Sequence, residues 1–140
     1  MPRLSLTRRV TFAAAHRYRR PEWSEERNFE VFGKCSRAPW HGHTYTCDVT
    51  VTGALDPVTG FVVDLALLDA ILDREVVERF DHRNINTDVA EFAEGRLIPS
   101  CENLSAFIAS RVQDALGARA TVTRVWLSES PTLWAEWTAD

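Results

Sequence analysis

The sequence predicts an α+β domain in which helices cover one face of an antiparallel sheet. Two long early stretches alternate apolar and polar residues with period two, and two later stretches repeat apolar residues every third or fourth position. The strands also fall in runs kept apart from the helices, which marks α+β rather than alternating α/β order. The expected order is strand, strand, helix, helix, strand, strand, written ββααββ. All 140 residues are expected to form one domain, 1–140, long enough for a hydrophobic core without disulfide staples.

From Leu4 to His16 the even positions read Leu, Leu, Arg, Val, Phe, Ala, His, while Ser, Thr and Arg dominate between them. This is a half-buried strand that ends with His16 on its apolar face. Residues 17–40 are charged and aromatic, too long a connection for a tight hairpin. The second strand runs from His41 to about Leu55 and stops at the Pro/Gly turn DPVTG. A short extended piece, Phe61 to Val63, leads to Asp64, a helix N-cap for LALLDAILDREVVERF, with Leu65, Leu68, Leu72, Val76 and Phe80 toward the core. The loop FDHRNINTD follows. A second helix starts at Ser100, carries Leu104, Phe107, Ile108, Val112 and Leu116 on one stripe, and stops at Gly117. Two strands close the domain, Ala120 to Ser128 and Leu133 to Thr138, joined through Glu129, Ser130 and Pro131.

Composition excludes several classes. A hydrophobic fraction of 45% with 26% charged residues is that of a globular protein, and no run reaches a membrane span. A net charge of -4 without a long basic run argues against nucleic acid as a partner. MPRLSLTRR lacks the apolar core of a secretory signal, and three cysteines give an odd count, so free thiols in the cytoplasm are expected.

Chemistry concentrates in CSRAPWHGHTY, residues 35–45, which holds two of the four histidines. On a strand, His41 and His43 share one face with Tyr45, Cys47, Val49 and Val51, the apolar parity. Buried imidazoles need partners: backbone groups are one solution and a metal ion is another. A neighbouring strand would add His16, and three imidazoles with an open position form a catalytic zinc pattern, although other transition metals accept the same ligands. Cys35 then either closes a structural site as fourth ligand or stands off the metal as base or nucleophile. Asp81 next to His82 is a carboxylate placed to orient a proton-carrying imidazole. Glu129, at a strand end, is a carboxylate able to accept two hydrogen bonds from a ligand edge, and Glu102 is read first as a helix-start charge. Arg17, Arg19 and Arg20 after His16, and Lys34 and Arg37 around Cys35, are candidates for holding an anion.

AAAHRY, FGKCSRAPWHGHTY, DPVTGFVVDLALL, FDHRNIN, CENLSAFI and WLSES together resemble the 6-pyruvoyl-tetrahydropterin synthase and 6-carboxy-tetrahydropterin synthase superfamily over about residues 7–138. The resemblance implies the tunnelling fold, a four-stranded antiparallel sheet with two helices on one face, assembled as trimers whose sheets form a barrel and stacked as a homohexamer. It implies zinc on His16, His41 and His43, Cys35 as catalytic base, and Asp81 and His82 as a relay contributed from a neighbouring subunit. Glu129 matches the glutamate that anchors the pterin ring, with Glu102 near the same pocket. The implied activity is a lyase acting on 7,8-dihydroneopterin triphosphate. Five residues between Cys35 and HGH, and the lead-in SEERNFEVFGKC, resemble the 6-pyruvoyl branch more than the 6-carboxy branch of queuosine and deazapurine synthesis. Cys101 stands where the pyruvoyl branch has threonine. A non-catalytic, zinc-stabilised pterin-binding oligomer is the alternative of another class.

Overall fold

The computed structural model describes residues 3–140. Strand β1, Ser5–His16, lies antiparallel to β2, His41–Thr52, in unbroken register from Ser5 opposite Thr52 to His16 opposite His41. The alternation read from the sequence therefore becomes a buried face: Phe12, Ala14 and His16 on β1 meet Tyr45, Cys47, Val49 and Val51 on β2. Phe12 stacks on Tyr45 with ring centroids 4.8 Å apart.

The connection over residues 17–40 is not featureless. It contains helix α1, Glu25–Phe32, capped by the Ser24 hydroxyl, which accepts from the Arg27 N–H, and it ends in a 3-10 turn, Gly33–Ser36. Helix α2 begins at Leu65 under the expected Asp64 cap, which accepts from the Ala66 N–H, and continues through Leu65–Leu72, a π turn at Asp73–Val77 and Glu78–Phe80. The piece at Phe61 to Val63 is irregular rather than strand.

Two residues correct the expected sheet. Arg83–Asn84 form β3, parallel to β1 at Ala14 and Ala15, so the sheet is five-stranded and mixed in the order β3-β1-β2-β4-β5 rather than four-stranded and antiparallel. A two-residue strand has too little sequence to show a period, and its pairing is anchored by the His82 N–H donating to the Ala13 carbonyl at 2.6 Å. The short helix α3, Ile85–Asp88, follows. Helix α4, Cys101–Leu116, has the expected Ser100 cap and ends at Gly117, whose φ of 60° suits a residue without a Cβ. Among the described residues four helices, not two, thus accompany the sheet, and α2 and α4 supply the apolar layer on its buried face.

Strand β4, Thr121–Ser130, runs farther than expected and pairs with β5, Leu133–Thr138. Its register shifts between Ser128 and Ser130, so Glu129 is the extra residue of a bulge rather than part of the turn. No helix among the described residues is long and apolar enough to cross a membrane.

Candidate active site

The β1–β2 register decides the geometry at one end of the sheet. His16 sits directly opposite His41 and diagonal to His43, all on the buried face. Nε2 of His16 and Nε2 of His41 are 3.1 Å apart, and one ligand atom from each of the three rings falls within 4.8 Å of the others. Tetrahedral zinc with nitrogen ligands at its usual bond length needs them about 3.3 Å apart.

His16 is completely buried, and its Nδ1 lies 2.7 Å from the Tyr45 hydroxyl. A metal on Nε2 would fix the proton on Nδ1, which would then donate to the Tyr45 oxygen, an outer-shell partner of the kind that orients ligating histidines. Burial pushes the His16 pKa down to about 3, and the neighbouring His41 and His43 push in the same direction. Burial also lowers His41 and His43, with Glu129 partly opposing the shift at His41. Neutral imidazole is the ligand form, so the three rings could hold a cation.

The bulge turns Glu129 into the same space. Its side chain is 7% exposed, and Oε2 lies 3.8 Å from His16 Nε2 and 3.7 Å from His43 Nε2. Both Glu129 Oε2 and His43 Nε2 are buried without a hydrogen-bond partner. Native folds rarely leave such atoms bare, and a divalent cation together with a ligand bearing N–H donors would satisfy both. Burial raises the Glu129 pKa, opposed by His41 and Tyr18 and reinforced by Glu102, an exposed residue in the first turn of α4.

Cys35 lies in the 3-10 turn and lines one cleft with Trp40, His41 and His43. The turn is pinned to the end of β1: the Tyr18 N–H donates to the Cys35 carbonyl at 2.9 Å, and Arg17 Nε donates to the Ser36 carbonyl at 2.7 Å. Burial, followed by the charge of Glu129, pushes the Cys35 thiol up. Cys35, Cys47 and Cys101 are all free thiols, and burial lifts Cys101 to about 12.

Asp81 and His82 stand elsewhere, at the β3 edge. Asp81 Oδ1 accepts from the Ala13 N–H at 2.9 Å, and Oδ2 lies 3.0 Å from His82 Nδ1. The Ala13 N–H, followed by His82, holds the Asp81 carboxyl below its ordinary range. His82 is 85% exposed with φ of 58°, and shares only an open groove with His43.

Two tyrosines escaped the sequence reading as site residues. Tyr45 has the same strand parity as His43, and Tyr18 follows His16 by two residues, its ring centroid 4.8 Å from that of His16. Tyr45 already stood on the histidine face by parity, whereas Tyr18 lies past the end of β1, where alternation gives no rule.

A family model described as 6-pyruvoyl tetrahydropterin synthase matches residues 5–140. A Drosophila melanogaster protein named 6-pyruvoyl tetrahydrobiopterin synthase is 39% identical over 127 residues, covering 90% of this chain and 74% of its own. A Bacillus subtilis protein named 6-carboxy-5,6,7,8-tetrahydropterin synthase is 33% identical over 108 residues, covering 74% of this chain and 69% of its own. The solved structure of Caenorhabditis elegans 6-pyruvoyl tetrahydropterin synthase superposes with a TM-score of 0.91 at 29% identity, covering 100% of this chain and 98% of that one.

Proposed function

Because this chain belongs to the 6-pyruvoyl tetrahydropterin synthase family, we propose that it is a zinc-dependent carbon–oxygen lyase converting 7,8-dihydroneopterin triphosphate to 6-pyruvoyl-tetrahydropterin with loss of triphosphate. The observation that carries the reading is the convergence of three imidazoles beside Glu129 Oε2, a buried carboxylate oxygen without a hydrogen-bond partner. His16, His41 and His43 would hold the ion. Bound zinc would polarise the hydroxyl oxygens of the substrate side chain, acidify the neighbouring C–H bonds, and offset the field of Glu129 that otherwise opposes a Cys35 thiolate.

The residues then divide the work. Cys35, in the cleft with His41 and His43, removes a carbon-bound proton. Asp81 holds His82 through Nδ1, leaving Nε2 to exchange protons on the other side of the substrate. Glu129 accepts hydrogen bonds from the donor edge of the pterin ring, with Glu102 near the same end. Two side-chain carbinol carbons become carbonyls while the ring C=N bond takes up hydrogen and triphosphate departure leaves a methyl group. The redox change is therefore internal and needs no outside oxidant.

The exposure of His82 at an open sheet edge favours an assembly in which this dyad serves a neighbouring chain's site. The reading is a cytoplasmic homohexamer of two stacked trimers, which would also cover the edge strands. Replacing Cys35 with Ala tests the lyase: zinc stays bound, the fold stays intact and turnover disappears. Metal loss with unfolding would instead support a non-catalytic, zinc-stabilised pterin-binding oligomer.

A second reading has its own support. The Bacillus relative carries the 6-carboxy name, and Cys101 replaces the threonine of the pyruvoyl pattern. Mass spectrometry of the product from dihydroneopterin triphosphate separates them, since a 6-carboxy product with released acetaldehyde would move the chain to that branch.

A further inference from the structure

Three arginines after His16 have no task in the chemistry above. Two of them, Arg17 and Arg19, line a cleft with Arg96, which comes from the loop preceding α4, and with Trp40, Asn86 and Thr87. Trp40 also lines the cleft that holds Cys35, His41 and His43, so the two clefts adjoin with the indole as their common wall.

The charges in this second cleft are unequal. Three guanidinium groups line it with one carboxylate, Glu94, and Glu25 contacts Arg19 from beside it, so the excess is one positive charge. Arg19 is held by acids, with Nη1 2.7 Å from Glu94 and Nη2 2.6 Å from Glu25. Arg17 is not neutralised in that way: its Nε donates to the Ser36 carbonyl, and its approach to Glu25 is only 4.0 Å. Arg96 spends Nη1 on the Ala90 carbonyl at 3.1 Å, and Arg20 Nη1 donates to the Arg96 carbonyl at 3.4 Å, which steadies the loop. Arg17 and Arg96 thus keep N–H groups for an anion, and the Arg17 side chain is only 20% exposed, already fixed in place. The other nearby guanidinium, Arg37, lies over the Phe29 ring at 5.1 Å.

We propose that this arginine-lined cleft is a polyphosphate subsite that takes the triphosphate chain of the substrate, with Arg17 and Arg96 as its main donors. The inference rests on the lyase reading and adds to it. The triphosphate is bonded to the end of the carbon side chain that reacts beside the histidines, so it must lie in space adjoining them. Guanidinium forks suit phosphate oxygens, and the negative charge that grows on the departing group would meet donors already in position. Arg17 also ties this cleft to the chemistry, because the carbonyl it holds belongs to the residue after Cys35.

The test is calorimetric titration of the full-length protein with inorganic tripolyphosphate and, separately, with 7,8-dihydroneopterin, which has the ring and side chain but no phosphate. Arg96→Ala should weaken tripolyphosphate about tenfold at fixed salt, as expected for loss of one charge-assisted donor, and leave 7,8-dihydroneopterin unchanged. A His43→Ala protein, its folding checked by circular dichroism, should keep tripolyphosphate binding. Equal tripolyphosphate affinity in wild type and Arg96→Ala would overturn the subsite. So would loss of binding in His43→Ala, which would place the phosphates on the metal. If 7,8-dihydroneopterin binds neither wild type nor Arg96→Ala, the lyase reading fails while a polyphosphate cleft still stands on its own titration.

Discussion

The two imidazole sites of this protein are built in opposite ways. His16, His41 and His43 sit on twelve-residue strands whose continuous register fixes them from both sides, and His16 has no exposed surface. His82 is 85% exposed beside a two-residue strand, held by one carboxylate and one backbone bond. The first arrangement is complete within a single chain because the hydrophobic core that forms the sheet also forms the site. The second is ordered only locally and presents its imidazole to solvent.

Removing a ring from each region should break the comparison most sharply. His16→Ala deletes a proposed metal ligand and also opens a cavity under a newly bare Tyr45 hydroxyl. Zinc content should fall to background, turnover should vanish, and unfolding free energy should drop by about 2–4 kcal/mol. Metal analysis and urea denaturation read these, and retained zinc would refute the ligand assignment. His82→Asn should do the reverse, because asparagine tolerates the left-handed backbone at φ of 58°. Stability should stay within about 0.5 kcal/mol of wild type, while turnover falls about 10²–10⁴-fold. A large stability loss there would mean the dyad is structural.

Tyr45→Phe sharpens the first half alone. The ring keeps its stack on Phe12 but loses the oxygen facing His16 Nδ1. Zinc affinity should fall about 10–100-fold, as for other outer-shell partners of ligating histidines. Competition with a chromophoric chelator measures it, and an unchanged affinity would show that packing alone orients His16.

The same contrast explains what the sequence disclosed. The triad was legible because strand parity is a period-two rule, and His16, His41 and His43 obey it together with Phe12, Tyr45 and Val49. Both main helices were legible from apolar spacing and from the Asp64 and Ser100 caps. Glu129 was identified, but its setting was not. A bulge adds one residue that no alternation rule anticipates, and it converts an expected turn position into a buried carboxylate. Strand β3 left no periodic trace, and α1 passed unread although Ser24 is followed by Glu25 and Glu26, a usual helix-start signal. Asp81–His82 was visible as a pair, yet its outward direction depends on hydrogen bonds to Ala13, which lies far away in sequence.

The smallest expected effect concerns acid. His16 has its folded pKa depressed to about 3 by burial, so the unfolded chain binds the proton more readily than the native one. The stability tied to its neutral form is therefore present above its ordinary value of 6.5 and is lost as pH falls from there toward 3. One pH unit into that window costs about 1.4 kcal/mol. Glu129 acts with the opposite sign: its pKa is raised by burial, so the native state gains stability as pH falls through the folded value toward the ordinary 4.5. The two tendencies separate in a Glu129→Gln protein stripped of metal. Between pH 7.5 and 5.5 its urea midpoint should decline more steeply than that of the stripped wild type. A flat midpoint in the variant would mean that His16 is hydrated in solution, and the buried region would then be as open as the dyad at the sheet edge.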